Sequence, residues 1–495
     1  MSGGGLGQAA RPAIKRIRPA APERSPQPAL ELCGVSFEYE GEGSAGGIRA
    51  VDFSIASGEC VLLTGPSGSG KTTCTRVVNG LAPAYWPGEL SGEVRVSGSD
   101  AAQMALWERG KSIGSVFQDP ASQFFSSELA GEVSFGCENY GLPQKDIVSR
   151  TDGAIASFGL DAVRKRSLDV LSSGEKQRVA VASACAPGPG IVVCDEPTAN
   201  LDDEGALMLA GQLARLKAEG IAVLVSEHRF AWLAGIADRV IYLEGGRVLW
   251  DRPFHEFAEM GEAERSRYGL RAAASAALPD LPDPRGSGTP ALEARELAHR
   301  FGHRTLWENV SIRMWPGQVV ALTGRNGVGK STLARVLAGL VKPSKGTVSV
   351  AGLPLRHAAR RKRVWYGAND TAAQFFTSSV SDELLLGKTN DEQLIERARD
   401  LLVRLGLYPW KDAHPAALSG GQKQRLALAC GILSNRDVLI FDEPTSGLDG
   451  ATMGLVADVI AEAAAAGSAI IVVTHDGEFA RRCCTHRIHL GGRLR

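Results

Sequence analysis

Residues 171–178 read LSSGEKQR and residues 418–425 read LSGGQKQR, and no other feature of this 495-residue chain constrains its fold as strongly. A second pair precedes it, GPSGSGKT at Gly65–Thr72 and GRNGVGKS at Gly324–Ser331. Lys71 and Lys330 lie 259 positions apart, whereas Leu171 and Leu418, Asp195 and Asp442, and His228 and His475 are all 247 apart. The constant later offset means no net insertion among those motifs. The early part of the first half is longer, partly in APAYWPGELSGEV. A period this long marks duplicated domains, not a solenoid, and the length is too great for a single core.

Strand-like runs alternate with helix-like stretches in each half, the pattern of an α/β fold. CVLLT (60–64) and VVALT (319–323) each lead into a glycine loop, and IVVCDE (191–196) and VLIFDE (438–443) each end in two acids. Both loops match G-x-x-x-x-G-K-[ST] between an apolar strand and a helix-like stretch, the context this motif requires. Gly65, Ser67, Gly68, Gly70, Lys71, Thr72 and Thr73 in one, and Gly324, Asn326, Gly327, Gly329, Lys330, Ser331 and Thr332 in the other, are the expected phosphate-site residues. Backbone N–H groups and a helix N-terminus cradle phosphate oxygens there, while the lysine reaches the β- and γ-phosphates. Thr72 and Asp195, and Ser331 and Asp442, are placed to hold Mg²⁺. Glu196 and Glu443 are candidate catalytic groups that orient or deprotonate water.

Lys plus Arg equals Asp plus Glu at 55 each, so charge gives no argument for nucleic-acid binding. The longest apolar runs, IAVLVS (221–226) and AIIVVT (469–474), are strand-sized, far below the roughly 20 residues that cross a bilayer. A membrane role therefore requires a partner. Residues 1–28 are rich in Gly, Ala, Pro and Arg without an apolar core and read as a disordered tail rather than a signal peptide. Domains are expected over 29–252 and 291–495, joined by an Ala- and Pro-rich linker at 253–290. Nine cysteines without a paired framework fit a reducing cytoplasm. CCTHRIH (483–489) matches the position of an ordinary strand in the first half and is expected to be a strand, not a metal site.

With these motifs in order, the chain resembles two ABC-type nucleotide-binding domains fused head to tail. The resemblance covers the chain from about residue 29 onward. It implies that each half has a RecA-like phosphate-loop core, an antiparallel β subdomain and a helical signature subdomain. It also implies that the halves pair within the chain, the signature of one closing over ATP held by the other. The implied site residues are Tyr39 and Phe301 on adenine, and Gln118 sensing Mg²⁺ and γ-phosphate. Ser172, Gly174, Ser419, Gly421 and Gln422 belong to the signatures, Asp202 and Asp449 to the D-loops, and His228 and His475 to the γ-phosphate switch. FQDPASQFFSSELAGEVSFG (117–136) and AAQFFTSSVSDELLLG (372–387) are similar to segments of energy-coupling-factor importer ATPases. This implies integral membrane partners and a place on the cytoplasmic face of the membrane.

The halves differ. Counting back five from Gln374 gives Asn369 where the first half has Gln118, and Ser173 and Glu175 replace a glycine and a glutamine in the first signature. A displacement of about 1 Å near a reacting centre costs about a hundredfold in rate, and a Cβ at Ser173 restricts close backbone approach. Glu175 is expected to matter little. Head-to-tail pairing gathers these departures in one composite site, with Lys330, and leaves the Lys71 site intact and faster. The competing reading is a soluble tandem ATPase acting on ribosomes, but that group typically carries a long charged linker. Sugar-importer tandems usually have a degraded second phosphate loop. DNA-repair relatives need insertions for which spacings of 100 and 88 residues from lysine to signature leave no room.

Overall fold

The computed structural model describes the chain outside residues 1–26, 42–46, 200, 274–276, 303, 370, 372–373, 387–390 and 492–495, and gives the backbone alone for Phe301 and Arg304. The expected tail at 1–28 thus lies almost wholly outside the described residues.

Each half is built on a mainly parallel sheet. In the first half the strands run in the order Arg247–Pro253, Arg239–Glu244, Cys60–Thr64, Ala222–Ser226, Ile191–Asp195 and Ile113–Val116. All pairings are parallel except the hairpin of the first two. In the second half the order is Val364–Gly367, Val438–Asp442, Ala469–Val473, Val319–Thr323 and His486–His489, all parallel. Of the CCTHRIH segment, expected to be a strand throughout, only His486–His489 form one, beside the phosphate-loop strand, while Cys483 ends the helix Gly477–Cys483.

The central strands are apolar throughout because both faces are covered. Alternation divides their side chains between two cores. Cys60 and Leu62 pack with the signature-side helices, and Val61 and Leu63 pack with the antiparallel sheet of Leu30–Tyr39, Ile48–Ile55 and Gly88–Val96. Val319 and Ala321, against Val320 and Leu322, repeat that division. Fold class and duplication are as the sequence led us to expect: two tandem α/β domains, each with a phosphate loop after a central parallel strand.

The described residues of 253–290 engage both halves. Phe254, Phe257 and Leu270 are buried in the first core, while Leu278 and Leu281 lie on the second. Gly450 N donates to Gly269 O at 2.8 Å, and Arg487 N donates to Pro282 O at 3.0 Å. Buried Arg271 pairs with Asp476 and, at 3.0 Å, with Glu478.

Candidate ATP sites

Each phosphate loop turns directly off a buried strand, and the turn demands glycine. Gly65 has φ 149° and Gly324 φ 145°, and a Cβ on either would stand 2.0 Å from a backbone oxygen, that of Leu243 or Leu490. The helices Lys71–Val78 and Lys330–Ala338 start at the loops, aiming their N-termini at the phosphate position. Lys71 Nζ donates to the carbonyls of Gly65 (3.0 Å) and Pro66 (2.9 Å), and Lys330 Nζ to Gly324 (2.8 Å) and Arg325 (3.2 Å). Burial lowers the pKa of both lysines. Nearby carboxylates, Glu196 foremost for Lys71 and Glu443 for Lys330, oppose that shift, and an incoming phosphate would add further negative charge.

The two halves meet head to tail. Asp449 Oδ2 accepts from Ser67 N at 2.8 Å, and Asp202 Oδ2 accepts from Asn326 N at 3.0 Å. Each D-loop therefore ties down the opposite phosphate loop. A cavity of about 480 Å³ is lined from both sides, by Ser172, Ser173 and Ala199 of the first half and by Asn326, Gly327, Lys330, Ser331, Asn369, Asp442, Glu443 and His475 of the second. The Lys330 site is thus composite in geometry.

In the Lys71 site, Gln118 Nε2 donates to Glu196 Oε2 at 2.6 Å, and His228 Nε2 lies 3.6 Å from Glu196 Oε1. Thr72 Oγ1 donates to Asp195 at 3.4 Å. A Cβ on Gly447 of the second half would sit 3.0 Å from Glu196, so the opposite D-loop closes over this pair. Burial, then the charges of Asp195 and Glu227, push the Glu196 carboxyl up to about 8. Burial raises Asp195 and holds His228 well below the usual imidazole value. Glu196 and Glu443 both adopt left-handed backbone, φ 45° and 52°, strain of a kind that clusters at functional sites.

The Lys330 site is wired differently. Asn369 is exposed at the cavity wall. Tyr366, which the parallel register aligns with Ser115, donates to Asp442 at 2.9 Å and occupies one of its oxygens. His475 Nδ1 stands 2.9 Å from Glu443 Oε1. Ser172 Oγ donates to Glu175 Oε2 at 2.8 Å, and Ser172 N donates to the same oxygen at 2.8 Å. Burial pushes Glu175 up, but these two hydrogen bonds together with the charges of Arg166 and Arg178 outweigh it and leave the carboxyl below its ordinary value. In the other signature, Ser419 N donates to neutral Gln422 at 2.8 Å, and Ser419 Oγ accepts from Gln422 N at 3.4 Å.

Two sequence expectations therefore change in weight. A Cβ at Gly420, the counterpart of Ser173, meets nothing within 4 Å, so Ser173 costs the protein itself no space. Glu175, expected to matter little, sets a carboxylate on the hydroxyl at the mouth of the site.

Gly174 and Gly421 lie in the first turn of the signature helices Ser173–Cys185 and Gly420–Leu433. Thr332 lines the Lys330 cavity. Tyr39 lies against the first phosphate-loop helix, its hydroxyl 3.2 Å from Thr73 Oγ1 and 3.1 Å from Arg76 Nη1. Phe301 ends the strand Leu292–Phe301, and its side chain lies outside the described residues. Three functional candidates escaped the sequence reading: Glu227, Arg229 and Arg271. For the first two the signal was the contrast of SEHR with THD after equivalent strands.

Comparison with known proteins decides the family. The profile described as "ABC transporter" matches residues 48–199 and 307–446. The chain belongs to the ABC transporter ATP-binding family. It is 37% identical to a Treponema denticola protein named as an ABC transporter ATP-binding protein, over 94% of this chain and 95% of that one. It is 31% identical to the Bacillus subtilis protein named for HMP/thiamine import ATP-binding, YkoD, over 90% and 86%. Archaeal ABCE1, solved bound with Pelota to the ribosome, superposes with a TM-score of 0.67 at 22% identity, covering 92% of this chain and 76% of that one. At that identity the likeness is one of fold. As an ABC ATPase the chain binds and hydrolyses ATP.

Proposed function

We propose that this ABC ATPase drives a membrane importer of the energy-coupling-factor type, taking up a vitamin or transition-metal ion through separate integral membrane subunits. One repeated construction carries the reading. Buried Glu132 accepts from Phe125 N and Ser126 N, both at 2.8 Å, and buried Glu383 accepts from Phe376 N and Thr377 N, both at 2.9 Å. Gln123 and Gln374 brace the same loops through Phe117 N (2.9 Å) and Ala368 N (3.2 Å). Both loops present a phenylalanine to solvent, Phe125 77% and Phe376 84% exposed. Exposed aromatics held by buried carboxylates, one pair beside Gln118 and the other beside Asn369, are suited to a partner that must feel both ATP sites. Among the described residues no helix is long and apolar enough to cross a membrane, so the translocation path belongs to that partner. The likeness to an importer ATPase named for HMP/thiamine supports the same reading.

Within the sites, the oxygen donors Thr72 and Asp195, and Ser331 and Asp442, suit Mg²⁺, a hard cation that prefers such ligands. Bound there, it would neutralise phosphate charge. The chain's own groups position the rest. Lysines and loop amides hold the phosphates, Glu196 and Glu443 orient water, and His228 and His475 contact the γ-phosphate. We infer that the Lys71 site turns over faster, because Gln118 touches Glu196 there while Asn369, Tyr366 and Glu175 depart from that arrangement at the Lys330 site. The membrane reading is tested by expressing the tagged chain with its genomic neighbours. Wild type should be recovered from membranes with small integral membrane proteins, and Phe125→Asp/Phe376→Asp should not. Recovery with ribosomes instead would overturn it.

A further inference from the structure

We propose that Arg229 is a positioning residue of the Lys330 site, supplied by the opposite half, and that it holds His475 in the tautomer unable to donate to a phosphate. This inference rests on the reading of His475 as a γ-phosphate contact and is independent of any membrane partner.

Arg229 stands where the second half has Asp476. Asp476 accepts from Thr445 Oγ1 at 2.9 Å and from Phe479 N at 3.1 Å, anchoring its loop. In the first half that duty has moved two positions upstream. Glu227 accepts from Thr198 Oγ1 at 2.6 Å and from the amides of His228 (2.8 Å) and Arg229 (3.2 Å). The exchange frees position 229 to carry a cation. The guanidinium crosses the interface, with Nη1 2.6 Å from His475 Nε2 and Nη2 3.7 Å from Asp203 of its own half.

A guanidinium has donors and no acceptor, so Nε2 must be the acceptor and the ring proton must lie on Nδ1. That nitrogen is 2.9 Å from Glu443 Oε1 and donates to it. Both ring nitrogens are therefore engaged, and their partners assign the tautomer. A phosphate oxygen needs the opposite arrangement, with a proton on Nε2. ATP at the Lys330 site must displace Arg229 before His475 can contact it, and Asp203 lies on the side to which the arginine can withdraw. The device is one-sided. His228 faces Glu196, and the residue equivalent to Arg229 is a carboxylate already held by Arg271 and Thr445.

The test uses the full chain carrying Lys71→Ala, so that ATP loads at the Lys330 site. Adding Arg229→Ala should tighten Mg·ATP binding roughly tenfold, the worth of one hydrogen bond to a charged group, with a smaller effect on turnover at saturating ATP. Arg229→Lys, which keeps a donor, should restore weak binding. Histidine-ring nitrogen NMR should show His475 protonated at Nδ1 in the parent and at Nε2 in Arg229→Ala. Unchanged or weaker binding, or an unchanged tautomer, would overturn the proposal. Adding His475→Ala instead checks the reading beneath it: ATP binding indifferent to His475 would remove its phosphate contact whatever Arg229 does.

Discussion

Glu196 carries a pH dependence that can be worked through from its surroundings. It sits beside Asp195 and near Glu227, and burial followed by those two charges raises its carboxyl from 4.5 to about 8, against the opposing pull of Lys71 and the Gln118 hydrogen bond. Between those values the folded, nucleotide-free protein keeps a proton that the unfolded chain has lost. Stability therefore falls as pH rises: the contribution is full below about 4.5 and gone above about 8. At 1.36 kcal/mol per unit, the gap corresponds to about 5 kcal/mol at most. Glu196→Gln removes the titrating group and leaves a side chain that can still meet Gln118. Urea unfolding followed by tryptophan fluorescence, repeated between about pH 5 and pH 9, should show the variant gaining on the wild type as pH rises, by up to that amount. Parallel profiles would refute the argument. The same proton must leave before Glu196 can act on water, so kcat/KM for ATP should climb over the same window.

Two further predictions follow from the wiring. Glu196→Gln should remove more of the steady-state ATPase than Glu443→Gln, and equal losses would count against unequal sites. Burial pushes Asp476 up, but Arg271 and Arg229 outweigh it and hold the carboxyl below the usual range. Arg271→Ala leaves that charge buried without its main partner and should cost about 3–5 kcal/mol in urea unfolding, whereas a loss below about 1 kcal/mol would show the pair to be dispensable.

Motifs whose chemistry is fixed by spacing were legible in the sequence. Phosphate loops, acid-ended strands and signatures are short, local and repeated, so the duplication was evident and candidate sites could be named from letters alone. What depended on neighbours in space was hidden. Ser173 drew attention because it replaces glycine, yet the space around its counterpart Gly420 is open. Glu175 drew little, yet it accepts the hydroxyl of Ser172. The composition of 253–290 reads as a linker, and only packing shows Phe254 and Phe257 entering the first core. The shift of an anchoring carboxylate from position 229 to 227 is visible as SEHR against THD, but its consequence lies across an interface that no single half encodes.

That two-sided sandwich is most directly tested by vanadate photocleavage, in which ADP–vanadate trapped at a γ-phosphate position cuts the backbone beside it. The paired arrangement predicts cuts at Ser419 that vanish in Lys71→Ala and cuts at Ser172 that vanish in Lys330→Ala. If each lysine variant instead abolished cleavage at the signature of its own half, every nucleotide would lie within one lobe, and neither the composite sites nor their inequality would stand.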